Sequence, residues 1–282
     1  MPSVALFNRD HVRHNRMRAS ASFPDFRFLH DWAEQDILER LSIIRRNFPA
    51  AAILNSRASQ SFQDALSENK NVTNLITLSD QNEFILQDPS SLDLIISILD
   101  LHTINDLPGL LVQIRQILKP DGLFMAAMPG GETLYELRSS LIEADLAHSS
   151  GASPRVFPFA DKQQMGGLLQ RAGFSLPVVD SDILRVAYRD IFHLMQDLKG
   201  MGETNAISDR RKTLTSRTLF EKAAEIYSSN FTDKDGKITA SFEIISLIGW
   251  APHASQQQPQ RRGSATARLA AVLGTEEFKS ED

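Results

Sequence analysis

The chain has 282 residues, 42% of them hydrophobic, which is ample for the core of one large domain or one domain with a sizeable insert. A net charge of -5 argues against a protein whose whole surface binds a polyanion, and the absence of cysteine excludes disulfides, thiolate metal sites, iron–sulfur clusters and a cysteine nucleophile. No apolar run approaches the roughly 20 residues of a membrane-spanning helix, and the N-terminus lacks the apolar stretch of a secretory signal.

In chain order, Asn8 to Arg18 is a basic run holding Arg9, His11, Arg13, His14, Arg16 and Arg18. Such runs are usually solvated faces. The alternative is an arm that folds over a ligand site or touches an acidic partner. Leu29, Trp32, Ala33, Ile37, Leu41 and Ile44 recur at helical spacing and predict a helix over Phe28 to Ile44, ended by Asn47-Phe48-Pro49. Ala50 to Leu54 suits a buried strand, Ser59 to Leu66 the following helix, and Val72 to Leu78 a second strand. Leu92 to Leu99 is nearly continuous in apolar residues, the pattern of a strand covered on both faces. Asp106 can cap the next helix, with Pro108 in its first turn and Leu110, Leu111, Ile114, Ile117 and Leu118 on its buried side. Lys119-Pro120-Asp121-Gly122 predicts a tight turn into a strand over Leu123 to Met128, so the strands on either side of that helix should be parallel neighbours.

Pro129-Gly130-Gly131 leads into a helix from Thr133 to about Ala147, then a loop, a helix over Asp161 to Arg171 and a bent strand over Pro177 to Tyr188. Two helices follow, Ile191 to Lys199 and Ser216 to Asn230, before a last strand over Phe242 to Trp250. The expected organisation is an arm and helix over 1–48, a main domain over 49–252 with a helical insert at about 189–232, and a partly disordered tail over 253–282. Alternating strands and helices predict a doubly wound α/β sheet, whose ligands bind beyond the carboxyl ends of the strands. The loops after Leu54, Leu99 and Met128 share that edge. No His-Glu-x-x-His, P-loop or Gly-x-Ser-x-Gly motif is present, and His11 with His14 in a basic run makes a poor metal site.

Several blocks are distinctive: Gly130-Gly131-Glu132-Thr133-Leu134-Tyr135-Glu136-Leu137-Arg138, Ser153-Pro154-Arg155, Met201-Gly202-Glu203-Thr204-Asn205, Ile248-Gly249-Trp250 and Arg262-Gly263-Ser264-Ala265. With Asp93 to Ser97, Leu101-His102 and the Lys-Pro-Asp-Gly turn, they make the chain resemble, over most of its length, the methyltransferase-fold assembly factors of respiratory complex I. The biotin-pathway malonyl carrier-protein methyltransferase is a more distant likeness, and the Met201 and Arg262 blocks favour the assembly-factor branch. The resemblance implies a class I S-adenosylmethionine-dependent methyltransferase fold, mostly parallel and Rossmann-like. It also implies S-adenosylmethionine as cofactor and oxidative modification of an arginine on a protein partner.

The family's cofactor loop reads Asp-Leu-Gly-Cys-Gly-x-Gly after the first strand. Here the matching stretch is Ile53-Leu54-Asn55-Ser56-Arg57-Ala58-Ser59, so Asn55, Arg57 and Ser59 replace the three glycines and Ile53 the acid. The first glycine of the chain is Gly109. Glycine in such loops reaches torsions closed to other residues and lets the backbone approach the ligand. Only 37 residues run from Asn55 to Ser91, so one strand–helix unit is expected to be shortened or missing, together with the acid that holds the ribose. Asp80 matches the residue near adenine.

Two readings follow. In the first, the chain is a pseudoenzyme or assembly factor acting on a protein partner such as a respiratory complex I subunit, without nucleic acid and without spanning the membrane. Its expected place is the bacterial cytoplasm, peripheral to the inner membrane through that partner. In the second, it is an active S-adenosylmethionine-dependent methyltransferase or hydroxylase of a protein side chain. Asn55 and Ser56 then donate to the cofactor carboxylate, Asp80 and Leu99 contact adenine, and Asp100, His102 and Tyr135 are the candidate catalytic residues.

Overall fold

The computed structural model describes residues 5–55, 57–81, 83–148, 151–257, 264, 267 and 269–275. The chain divides into two compact units, Met1–Pro252 and His253–Asp282. The first begins with α1 (Arg9–Ala19), capped by the Asn8 side chain, and α2 (Phe28–Ile43). Next come β1 (Ala50–Leu54), α3 (Gln60–Lys70), β2 (Asn74–Leu78) and a small hairpin of β3 (Asp80–Gln81) and β4 (Phe84–Ile85). β5 (Leu92–Ile98), α4 (Leu107–Ile117), β6 (Leu118–Pro129), α5 (Tyr135–His148), α6 (Lys162–Arg171) and β7 (Ser175–Tyr188) follow. α7 (Ile191–Gly200) and α8 (Arg217–Phe231) form the helical insert before β8 (Ile238–Trp250). The second unit contains α9 (Leu269–Leu273), a short helix where the sequence suggests disorder; residues 276–282 lie outside the described residues.

Six strands form one sheet in the order β2-β1-β5-β6-β8-β7. β2, β1, β5 and β6 pair in parallel, and β8 runs antiparallel to both β6 and β7. β5 lies at the centre. Leu94, Ile95 and Ile96 are fully buried, which is why its apolar run does not alternate. On β1, Ala51 and Ile53 pack with α2, α3 and α5, while Ala52 and Leu54 pack with α4 and α6 on the other face. Ile37 and Leu41 of α2 are each 1% exposed, and burying side chains of this size stabilises by about 1.5–3 kcal/mol apiece.

One local departure from the sequence reading has a clear cause. The Lys119–Gly122 turn is a bulge inside β6: the partner register on β5 slips between Leu92 and Leu94, and Asp121 sits at φ 62. A Cβ at Gly122 would lie 2.8 Å from the Lys119 carbonyl oxygen. Between β1 and β5 the chain has room for one helix and one sheet strand, with the β3–β4 hairpin filling the remainder. β2 therefore lies directly beside β1.

Strand order reverses between β1 and β5, opening a crevice beyond their carboxyl ends. The insert closes over this edge onto the N-terminal region. A Cβ on Gly200 would fall 2.3 Å from the Phe26 ring, and one on Gly202, at φ 77, would fall 2.9 Å from the Arg16 Cα. Glycine at these two positions lets the insert and α1 approach. Among the described residues, no helix is long and apolar enough to cross a membrane.

Candidate functional site

Asn55 and Asp100 stand at the ends of β1 and β5, facing each other across the crevice. The Asn55 Nδ2 donates to Asp100 Oδ2 at 2.6 Å, and its Oδ1 accepts the Asp80 N–H at 3.0 Å. One amide thus ties together the ends of three neighbouring parallel strands. The acids themselves are held by arginines of α1. Arg9 donates to Asp80 at 2.5 Å and to the Thr103 hydroxyl at 2.6 Å, while Arg16 pairs with Asp100 and, through Nε at 3.1 Å, with Glu203. Arg57 reaches the same Glu203 carboxylate at 2.8 Å and the Met201 carbonyl at 2.6 Å, with its guanidinium 4.7 Å from the Phe23 ring centre. The basic run is therefore two-sided: Arg9 and Arg16 turn inward over the site, and Arg13 and His14 stay exposed.

In the loop without glycine, Asn55 takes a left-handed backbone, at φ 48, a conformation Asn tolerates better than most residues. Ser59, at φ -68, is the N-cap of α3; its hydroxyl donates to Glu34 at 2.5 Å and accepts the Phe62 N–H at 3.0 Å. Leu99, at φ 49, is also left-handed, and it and Asn55 lie beside the reversal of strand order.

Electrostatics follow from this enclosure. Burial by itself would raise Asp100, but Arg16 and the Asn55 amide outweigh it and hold its carboxyl below the usual range. Glu203 is treated likewise: burial opposes ionisation, yet Arg16, the His102 hydrogen bond and Arg57 keep its carboxyl well below the ordinary value. For Asp80 the balance goes the other way, and burial pushes it up despite Arg9. Burial and then Arg57 drive His30 well below the usual imidazole value.

Next to this network lies a cavity of about 320 Å³. Leu29 and His30 of α2, Leu99 and His102 after β5, Leu134, Leu137 and Leu141 around the start of α5, Arg155, Val156, Phe157 and Phe159 of the following loop, Met195 and Leu198 of α7 and Phe220 of α8 line it. His102 Nε2 meets Glu203 Oε2 at 3.2 Å, and its ring centre lies 6.1 Å from that of Phe157 and 5.9 Å from that of Phe159. His102 Nδ1, His30 Nε2 and Arg16 Nη2 are buried without a hydrogen-bond partner among the described residues.

The fold thus brings Asn55, Asp80, Leu99, Asp100 and His102 to one edge. Ser56 lies outside the described residues, as does the Arg262–Ala265 block apart from Ser264. Tyr135 does not join the group. It is 42% exposed and packs edge-on against Phe231 of α8, outside the cavity lining. Arg155 is neither a free loop arginine nor an open carboxylate binder, since it pairs with the buried Asp145 at 2.8 and 2.9 Å. The glycine-rich turn after β6 is structural in its contacts. Glu243 accepts the Glu132 N–H at 2.9 Å, Thr133 Oγ1 donates to the Glu243 carbonyl at 3.0 Å, and Glu136 accepts from the Ser241 hydroxyl at 2.6 Å. Glu203, Arg57 and His30 are site residues that sequence reasoning missed. Glu203 stood inside a block singled out as distinctive, which is the one signal that pointed to it. Among the described residues, no group of three His, Asp or Glu side chains is placed to hold a metal ion.

A family model for the methyltransferase domain matches residues 11–177. With the sheet order and the crevice at its reversal, this defines a protein of the class I methyltransferase fold. The chain is 37% identical over 302 residues to the mitochondrial arginine-hydroxylase NDUFAF5 of Mus musculus, covering 99% of this chain and 87% of that one. It is 38% identical over 286 residues to the Homo sapiens protein of the same name, covering 94% and 82%. The malonyl-[acyl-carrier protein] O-methyltransferase of Xylella fastidiosa (strain M23) is 30% identical over 270 residues, covering 88% and 89%. The chain belongs to the arginine-hydroxylase NDUFAF5 family, the complex I assembly-factor group to which its motifs point.

Proposed function

We propose that this chain is an assembly factor that acts by binding a protein partner, with the cofactor edge of its methyltransferase fold closed by its own side chains. The observation that carries this reading is the arginine network. Asp80 and Asp100, the acids at the strand ends, are already paired with Arg9 and Arg16, and the Asn55 amide is spent on the Asp80 N–H and on Asp100. The residues present do not fit S-adenosylmethionine as a glycine cradle would. Where a glycine loop leaves space and free N–H groups, this edge carries a guanidinium-filled interior.

The magnitudes favour exclusion. Arg16 and Asp100 are 14% and 3% exposed, and breaking a pair this buried costs about 3–5 kcal/mol. At about 1.4 kcal/mol per tenfold, displacing the arm would weaken a micromolar ligand to a Kd of about 0.1 mM or worse. The family relationship supports a respiratory complex I subunit as the partner, and the lack of a candidate membrane helix among the described residues fits a bacterial cytoplasmic protein peripheral to the inner membrane through that partner.

A second reading, an active S-adenosylmethionine-dependent enzyme modifying a protein side chain, is favoured by one observation. Arg16 Nη2 is a buried donor without a partner, suited to a carboxylate. That reading requires α1 to move, because the rest of the Arg16 guanidinium is engaged. Calorimetric titration of the full chain with S-adenosylmethionine and with S-adenosylhomocysteine separates the two. Kd values weaker than about 0.1 mM for both are expected, and a Kd of a few micromolar for either would overturn the binding-module reading.

A further inference from the structure

The polar side chains around the cavity beside the arginine network are bonded to other parts of the protein, and the surface they leave to a ligand is hydrocarbon. We propose that this cavity is a binding site for an uncharged alkyl chain of about ten carbons.

The polar groups of the lining can be taken in turn. Thr133 Oγ1 donates to the Glu243 carbonyl at 3.0 Å. The Asn205 side chain donates to the Pro154 carbonyl at 2.8 Å and accepts the Ile207 N–H at 3.0 Å. Glu203 is held by Arg16, Arg57 and His102, and Arg155 by Asp145 and the Thr215 hydroxyl. His30 Nε2 and His102 Nδ1 have no partner among the described residues, but both atoms are buried and present no surface to a ligand. The Thr204 carbonyl accepts from the Asn15 amide at 3.1 Å, which leaves its hydroxyl, and one neutral hydrogen bond adds only about tenfold in affinity. A charged ligand would find no free counter-ion here and would carry the desolvation penalty of an unpaired buried charge.

The other walls are apolar. Leu137 and Leu141 share one face of α5, and Met195 and Leu198 share one face of α7, at the four- and three-residue spacings that bring helix side chains together. Phe220 of α8 and Phe242 of β8 complete the enclosure. At about 320 Å³ the cavity has about twice the ~150 Å³ of an apolar cavity that takes benzene. One leucine or phenylalanine side chain of a partner, near benzene in size, would fill about half of it, whereas a chain of about ten carbons fills it.

Closure of the cofactor edge is not required for this, since the test ligands carry no part of S-adenosylmethionine. The experiment titrates the full chain by calorimetry with the straight-chain alcohols hexanol, octanol, decanol and dodecanol, beside ethylguanidinium and N-acetyl-leucine methylamide. Affinity should rise about fourfold per methylene, the equivalent of about 0.8 kcal/mol, and level off between decanol and dodecanol. Ethylguanidinium should not bind. Met195→Trp, at a half-buried position in the lining, should weaken decanol by about tenfold or more and move the plateau to shorter chains. The wild-type series stands even where that variant does not fold. A flat series, a rise that continues unbroken through dodecanol, ethylguanidinium binding more tightly than octanol, decanol affinity unchanged in folded Met195→Trp, or no binding at all would overturn the proposal. N-acetyl-leucine methylamide binding more tightly than octanol would assign the cavity to a side chain of a partner protein and overturn it as well.

Discussion

The loops after β1 and after β6 leave the same edge of the sheet and treat glycine in opposite ways. After β6, a Cβ at Gly130 would lie 2.5 Å from the Glu243 carboxylate, and the bonds of Glu132 and Thr133 to Glu243 pin the turn against β8. After β1 there is no glycine. Asn55 there is left-handed, and its side chain is bonded to Asp80 and Asp100. Glycine persists where another segment of the protein comes too close for a side chain. It is absent after β1, where the Asn55 side chain bonds the neighbouring strand ends instead. The first loop has become a joint between strand ends, and the second remains a close-packed turn.

The strongest way to break this comparison is to remove the arm that fills the crevice. Arg16→Ala leaves Asp100 and Glu203 in place with less compensation, and the loss of a buried pair predicts destabilisation by about 3–5 kcal/mol in urea unfolding. A loss below about 1 kcal/mol, the worth of an exposed pair, would show that water already satisfies these acids. A sharper test sets one loop against the other. Gly130→Ala should cost about 1–3 kcal/mol, because Glu243 has to move. Asn55→Gly keeps the positive φ without steric penalty but removes the bonds to the Asp80 N–H and the Asp100 carboxylate, so it should cost about 2–4 kcal/mol. A loss below about 0.5 kcal/mol for Asn55→Gly would contradict the account of that loop as a joint between strand ends.

Much of the frame was legible in the sequence. β1 falls on Ala50–Leu54 as expected, and Asp106 caps α4 through the Gly109 N–H, because apolar runs and capping residues act locally. The strand-end residues Asn55, Asp80, Leu99 and Asp100 could be placed on one edge because parallel strands deliver their carboxyl ends together. Their partners could not. Arg16 lies 84 residues from Asp100 and 187 from Glu203 along the chain, and no local pattern encodes such pairings. The turn chemistry of Lys119–Gly122 was legible, but its absorption into β6 as a bulge depends on the register of β5. Tyr135 begins the helix after the glycine turn, and the packing of α5 on α8 sends it to Phe231.

Acid provides the smallest effect and separates the arm from the cavity. The folded state holds His30 neutral, with its value driven well below 6.5 by burial and Arg57, so below about pH 6.5 the unfolded chain binds a proton that the folded chain does not. Stability should therefore fall as pH drops from 7 toward 5, by at most about 1.4 kcal/mol per pH unit, and His30→Leu should flatten that slope. Asp100 and Glu203 are lowered in the folded state, so their contribution is complete above their unfolded values near 4 and is lost only as pH falls further. A slope between pH 7 and 5 that His30→Leu leaves unchanged would contradict this assignment.

The central claim, that α1 itself closes the cofactor edge, is tested most directly by amide hydrogen exchange of the full chain with and without millimolar S-adenosylmethionine. The account predicts that amides of Arg9–Ala19 are protected in the free protein and that the ligand leaves this protection unchanged. Rapid exchange of α1 in the free protein, or protection that arises only when S-adenosylmethionine is added, would contradict it.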